Sequence, residues 1–328
     1  MSEHFKPVSV IIPTWNRKEM IVEAIHSVRK LTRPNIQIIV VDDGSTDGTF
    51  SSVSRMNGIL YLHQAHKGQG SARNLGLSRA TGDYIATLDS DDLWEPEFLD
   101  RCIHALENLN ADFVFANWGT LRSGTSHYSI SSWEQTGKWK NYPVSNIRSW
   151  HTLRPQDTRR LVLECCASPS SGLVFRRQSI ACFWNERMHI ADDWCLLMDL
   201  VLCKPLRTAF TMERLWTKRI NGDNLYDGAD ARKGLERLAL HDLRLMLYIF
   251  DKRLVDEEKN ILSRHIIDGS LGLSRRYMKV SEERKKGLRL LAGSLAADPA
   301  HTIRRFGQFL FGRHAKRSEP LEGLEGKR

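Results

Sequence analysis

No apolar run in this sequence approaches the roughly 18–20 residues that span a bilayer, and the opening Met1-Ser2-Glu3-His4-Phe5-Lys6 has no signal-peptide core. Both absences predict a chain that stays in the cytoplasm, at most peripheral at the inner face of the membrane. Cysteine is sparse: six residues, none in a CxxC pair, with Cys165 and Cys166 directly adjacent. That spacing suggests neither a zinc site nor a disulfide framework and predicts reduced, mostly buried thiols. Internal repeats and long low-complexity tracts are missing too.

Acidic residues are absent from His301 to Arg317, where Arg304, Arg305, Arg313, Lys316 and Arg317 stand unopposed. The chain as a whole carries a formal charge of +9, from 48 basic and 39 acidic residues. Phe306, Phe309, Leu310 and Phe311 lie among these arginines. A membrane contact through an amphipathic helix on anionic lipid and a packed helix with solvated arginines are both open. The acids gather instead in the N-terminal half. A nucleic-acid enzyme more often spreads basic and aromatic residues through its working domain, so no nucleic-acid partner is expected.

What is present is the composition of a globular protein: 328 residues, 41% hydrophobic and 27% charged, enough for one large domain and an appendage. Val8–Ile12, Ile36–Val41, Ile59–Leu62, Asp83–Leu88 and Asp112–Ala116 read as strands. Met20, Ile21, Ala24, Ile25, Val28 and Leu31 recur at helical spacing, with Asn16 as the expected cap. Ser71–Ala80 and the stretch after Pro96 are helical as well. Strands apolar on both faces and alternating with helices predict an α/β fold, its mostly parallel central sheet covered by helices and its site in the loops after the strands. From Gly119 to about Pro155 the pattern decays into an irregular excursion. Trp118 at its edge and Trp133, Trp139 and Trp150 within it are costly to leave in water. Ser171–Phe175 resumes the sheet pattern, and a helix starts near Asp192. Residues 225–318 read as a helical C-terminal extension and 319–328 as a disordered tail.

The run Tyr84-Ile85-Ala86-Thr87-Leu88 stops at Asp89-Ser90-Asp91-Asp92, three carboxylates in four residues. Like charges so close repel one another, and no base adjoins them in sequence. A divalent cation, which takes oxygen ligands, would hold such a cluster. A solvated acidic turn is the alternative.

Four stretches occur in a set order: Val8 to Arg17, Val40 to Thr49 (with Asp42-Asp43-Gly44-Ser45), Gly70 to Gly76, and Ala80 to Asp92. Together they closely resemble the family 2 glycosyltransferases, which have the GT-A nucleotide-diphospho-sugar transferase fold, over roughly the first hundred residues. The resemblance implies a GT-A domain over 1–224, with a donor half to about 117 and an acceptor half over 118–224. It implies transfer, with inversion, from a nucleoside-diphosphate sugar (UDP-linked) to a glycan, lipid-linked or protein acceptor in cell-envelope polysaccharide or glycan synthesis. Pro13 and Thr14 would frame the base and Asp43 would hydrogen-bond it. Arg73 and Asn74 would lie near the ribose or diphosphate. Asp89, Ser90 and Asp91 form the DxD signature, with Asp91 and Asp89 at Mg²⁺ or Mn²⁺. Ile190-Ala191-Asp192-Asp193-Trp194 falls where the family has Glu-Asp and an aromatic, so Asp193 inherits the general base, with Asp192 in place of the Glu and as the fallback base. Asp192 and Trp194 would adjoin phosphate or acceptor. Arg219 to Asn224 resembles a loop over the donor phosphates, which Lys218 or Arg219 would neutralise. The tryptophans of the excursion could stack on sugar faces or simply fill core.

Plainer readings stay open at each position. They are an Asx turn at Asp42-Asp43, a solvated helix face at Arg73 and Asn74, a helix cap at Asp92, helix-start carboxylates at Asp192 and Asp193, and a surface turn at Arg219. A metal-dependent nucleotidyltransferase or phosphohydrolase would also cluster Asp at strand ends. The nucleotidyltransferase, however, typically has a Gly-rich basic loop where this chain has Pro13-Thr14-Trp15-Asn16-Arg17. A non-catalytic scaffold of the same fold is the third reading, and the intact acids speak against it.

Overall fold

The computed structural model describes residues 5–122, 128–130, 134, 137–142, 149–221 and 231–311. Trp133, Gly222-Asp223-Asn224, Arg313 to Arg317 and the 319–328 tail lie outside the described residues. The chain divides into two compact units, Met1–Leu262 and Ser263–Arg328.

The first unit is built on one sheet. Its spatial order is β3 (Ile59–His63), β2 (Ile36–Asp42), β1 (Val8–Thr14), β4 (Tyr84–Thr87), β9 (Leu173–Arg176), β6 (Phe113–Arg122), β10 (Thr208–Ile220) and β5 (Leu93–Trp94). β7 (Tyr128–Ile130) pairs with β6, and β8 (Trp150–Leu153) with β10. β1, β2, β3, β4, β6 and β10 run in one direction, and β9 enters antiparallel between β4 and β6. This reversal in the middle of the sheet positions the site. It lays the start of β9, with Ser170–Gly172 before it, beside the end of β4 where the acidic turn begins. β1 is buried along its whole length, as a Val/Ile strand flanked on both faces by helices must be.

Helices α1 (Met20–Arg29), α2 (Thr49–Val53), α3 (Gln69–Arg79), α4 (Phe98–Asn108), α5 (Pro155–Glu164), α6 (Asp192–Cys203) and α7 (Ala231–Phe250) complete the unit, and α8 (Asp256–Tyr277) begins in it. α3 carries Gly70, Ser71, Ala72 and Gly76 on its buried side, so it lies close on β1 and β2. A Cβ on Gly76 would stand 2.5 Å from a methyl carbon of Ile11.

Three expectations need correction. Asn16 does not cap α1: the cap position is Glu19, with no side-chain bond. Asn16 sits instead at φ 50°, and its Oδ1 accepts from the Thr46 amide at 2.8 Å, joining the loops after β1 and β2. The excursion is not wholly irregular. β6 continues to Arg122 in register with β10, held by Trp118 stacked on Trp216 at 5.4 Å, and Trp150 is a buried residue of β8. Pairing with β10 supplies order that the polar sequence does not advertise. The cysteines are all free, but only Cys102 and Cys195 are buried, while Cys166 and Cys203 are exposed. Loop and helix-end positions explain both.

The second unit contains the end of α8, α9 (Arg284–Ala297) and α10 (Pro299–Phe311). Its helices meet through small polar residues, with Ser274 Oγ donating to the Gly287 carbonyl at 2.7 Å and Thr302 Oγ1 to that of Ser294 at 2.8 Å. Among the described residues no helix is long and apolar enough to cross a membrane.

Gly82 tests the tight seam between β1 and β4. A Cβ there would stand 2.5 Å from the Ser9 amide nitrogen and 2.7 Å from the Val8 carbonyl carbon, and backbone cannot rotate away. Gly82→Ala should lower unfolding stability by about 1–3 kcal/mol in urea titration. An unchanged midpoint would contradict that packing.

Candidate active site

The ends of β1, β2, β3 and β4 open onto a cleft of about 950 Å³ within the first unit. Its loops are stitched to one another. The Asn16 amide donates to Ser45 Oγ at 2.8 Å and the Lys18 amide to Asp47 at 3.0 Å. Asp42 makes the Asx turn, accepting from the Ser45 amide at 2.8 Å, and takes a second bond from the Tyr61 hydroxyl. Asp43 lines the cleft with both oxygens engaged. Oδ1 accepts from Gln64 Nε2 at 2.7 Å and the Lys67 amide at 2.8 Å, while Oδ2 accepts from the Gly68 amide at 2.8 Å and faces His66 Nδ1 at 2.9 Å. This carboxylate fixes the loop that leads into α3. Pro13 and Thr14 line the same wall. At the mouth, Trp15 is 48% exposed and stacks on His66 at 4.5 Å.

The acidic turn is anchored from β9's side. Ser171 Oγ accepts from the Asp89 amide at 3.0 Å and donates to Asp92 at 2.6 Å. Thr87 Oγ1 donates to the Ser170 carbonyl at 2.7 Å. Asp92 is buried and also accepts from the Arg219 amide at 3.0 Å, so it ties strands together and caps no helix. Burial and its acidic neighbours push Asp92 well above the usual carboxylate range. Burial, then Asp89, raises Asp91 as well. Carboxyl oxygens of Asp89, Asp91 and Asp92 lie within 4.8 Å of one another. Both oxygens of Asp92 are bonded within the protein and Oδ1 of Asp89 meets Arg73, so Asp91 and the other oxygen of Asp89 could hold a hard cation, whose charge would relieve their repulsion. Ser90 lies between them on the cleft wall.

Arg73 connects this turn to the start of α6. Its guanidinium, 1% exposed, donates to Asp89 at 2.6 Å and to Asp192. Asp192 also accepts from Gln69 Nε2 at 2.6 Å. Burial and the carboxylates of Asp193 and Asp89 push Asp192 up to about 7, against the pull of Arg73. Asp192 opens α6 from Ala191, whose left-handed φ of 59° is costly for a residue with a Cβ and turns the Asp192-Asp193 pair to the cleft. Asp193 accepts from the Trp194 amide at 2.7 Å and the Ser170 amide at 3.1 Å, and burial raises it too.

Most of the expected residues therefore converge: Pro13, Thr14, Asp43, Arg73, the Asp89–Asp91 turn and the Asp192–Trp194 segment all line one cleft. Two do not. Asn74 points away and clamps the 184–186 loop, donating to the Trp184 carbonyl at 2.9 Å and accepting from the Trp184 amide at 2.8 Å. The Arg219 side chain bonds the Asp91 carbonyl and Glu23 behind the turn, and Lys218, with Arg17 and Arg73, is a cation on the cleft wall. The Trp194 ring is mostly core, its indole N–H donating to the Val162 carbonyl at 2.6 Å. Trp15, His66, Gly68, Gln69, His189 and Asp242 line the cleft as well and were not marked by the sequence. His66-Lys67-Gly68-Gln69 follows β3, so its place after a strand was the available signal.

The sheet order and the covering helices are those of the GT-A fold. The chain belongs to glycosyl transferase family 2, whose model matches residues 9–182, just over half of it. An uncharacterized glycosyltransferase of Rickettsia felis is 38% identical over 204 residues, 60% of this chain and 30% of that protein. WfaP of Escherichia coli, a UDP-Glc:alpha-D-GlcNAc-diphosphoundecaprenol beta-1,3-glucosyltransferase, is 37% identical over 114 residues, 34% of this chain and 45% of WfaP. The chain spans less than two thirds of the length of the curated relatives it matches. Among solved structures, S. aureus TarS 1–349 with UDP-GlcNAc superposes with a TM-score of 0.61 at 18% identity, covering 94% of this chain and 93% of that one. Mannosyltransferase PcManGT of Pyrobaculum calidifontis, with GDP-Man and Mn²⁺, gives 0.60 at 18%, covering 95% and 82%.

Replacing Arg73 by Met strands two carboxylates in a low-dielectric wall. The variant should lose about 3–5 kcal/mol of unfolding stability, and Asp192→Asn on top should restore part of it. Denaturant titration reads both, and equal stability of Arg73→Met and wild type would refute the bridge.

Proposed function

We propose that this chain transfers a sugar, with inversion, from a UDP-linked donor to an acceptor hydroxyl in cell-envelope polysaccharide or glycan synthesis. The observation that carries the reading is the placement of Asp193 in the same cleft as the Asp89-Ser90-Asp91 turn, joined to it through Asp192 and Arg73. A base and a diphosphate site so connected suit an in-line displacement. The donor in WfaP's name and the UDP-GlcNAc on TarS support UDP, and WfaP's lipid-linked acceptor supports an envelope product.

In this reading the base rests against the exposed Trp15–His66 stack, framed by Pro13 and Thr14. A ring N–H would exchange with Gln64 or His66 at Asp43, since a buried donor left unpaired is costly. Asp91 and Asp89 would hold Mg²⁺ or Mn²⁺, in keeping with the Mn²⁺ of PcManGT. Bound there, the ion supplies positive charge to the departing diphosphate. Lys218 adds a cation on the same wall. Asp193 takes the proton of the acceptor hydroxyl as its oxygen attacks the anomeric carbon. A carboxylate raised toward working pH is a stronger base than an ordinary one. The sugar–diphosphate bond breaks as the new one forms, so no covalent enzyme intermediate arises.

Asp193→Asn should cut transfer by roughly 10²–10⁴-fold while UDP affinity stays near wild type; full turnover by that variant would remove Asp193 as the base. Asp91→Ala should weaken UDP binding in Mn²⁺ far more than in EDTA. Calorimetry with an unchanged metal dependence would end the assignment of Asp91.

A further inference from the structure

A carboxylate that this chemistry does not use faces the same cleft. Asp242 sits on α7, whose inward face is formed by Leu245, Met246 and Ile249, all buried. It precedes them by three, four and seven residues, where helical periodicity puts the next core side chain. An apolar residue would be the ordinary occupant of that register; Asp242 is instead half-buried and opens onto the cleft. Among the described residues, no hydrogen bond or ion pair holds the Asp242 carboxyl. It lines the cleft together with Asp193, Cys166 and His189. Burial, and then the charge of Asp193, push it up to about 6, in keeping with two carboxyl groups that line one cleft.

We propose that Asp242 is an acceptor-binding residue, accepting hydrogen bonds from adjacent hydroxyls of a neutral sugar unit beside the hydroxyl that Asp193 deprotonates. The proposal rests on the glycosyltransferase reading above. A carboxylate offers only acceptors, so its partner must bring donors, and neighbouring sugar hydroxyls bring two. Such charge-assisted bonds are stronger than neutral ones. Two carboxyl groups on one wall also repel phosphate or uronate, which selects a neutral unit. Asp242 thus extends the site from the strand-end loops into the helical segment after β10, where no DxD-type motif would point.

The test uses the full chain, loaded with UDP and Mn²⁺, as wild type, Asp242→Asn and Asp242→Ala. Calorimetry measures binding of a panel of neutral p-nitrophenyl hexosides and one p-nitrophenyl hexuronoside, with UDP affinity in each sample as the control for folding. Wild type should bind a neutral hexoside in preference to the hexuronoside. Both variants should bind it roughly tenfold or more weakly, with UDP affinity within about twofold of wild type. For any hexoside that also receives sugar, KM should rise by that factor while kcat moves much less. Equal hexoside affinity in all three proteins, preference for the hexuronoside, or no hexoside binding by UDP-loaded wild type would overturn the proposal. Failure of wild type to bind UDP with Mn²⁺ would instead defeat the donor reading beneath it.

Discussion

One buried guanidinium holds the site together. Arg73 reaches Asp89 and Asp192, residues from opposite halves of the chain, and is itself almost wholly out of water. Without it, Asp89, Asp192 and Asp193 would face one another without the cation that bonds two of them, and a buried charge that loses its partner is strongly destabilising. The burial penalty is offset because the two carboxylates keep Arg73 firmly cationic. The bridge places the DxD turn against the start of α6, and it depends in turn on Gly70, Ser71, Ala72 and Gly76, whose small side chains let α3 approach β1 and β2.

The sheet supplies the second constraint. Parallel strands alone would leave the acidic turn with loops on only one side. β9, running against its neighbours, returns Ser170 and Ser171 to the end of β4, where they bond Asp89, Asp92, Thr87 and Asp193. A reversed strand thereby gives the strand-end cleft a second wall, formed by Ser170, Ser171 and the start of α6. The left-handed Ala191 adds local strain at the junction, the kind of backbone outlier that concentrates at functional sites.

The parts legible in the sequence were those written locally. Val8–Ile12 and Ile36–Val41 announce buried strands because both their faces are apolar. Asp89-Ser90-Asp91-Asp92 announces a site because three like charges in four residues need an explanation. Pairings across long sequence separations were not legible. Nothing adjacent to Arg73 shows that its partner lies 119 residues away, and Asn74 looks as fit for a ligand as for the loop it clamps. Arg219 and Lys218 differ only in the side of β10 they occupy, a distinction that register decides. β8 and the end of β6 hid within a Trp-rich polar stretch, since their order comes from β10 and from the Trp118–Trp216 stack. Asp242 was readable in principle as a carboxylate in an apolar helical register, but its relation to Asp193 appears only when α7 is packed.

The most direct measurement identifies the leaving group. The full chain is incubated with Mn²⁺ and a panel of UDP-, GDP- and dTDP-sugars, and the released product is analysed. An inverting transferase with the donor site described here releases a free nucleoside diphosphate, UDP foremost, and no inorganic phosphate or pyrophosphate. Release of phosphate or pyrophosphate, with no nucleoside diphosphate from any donor, would contradict the account.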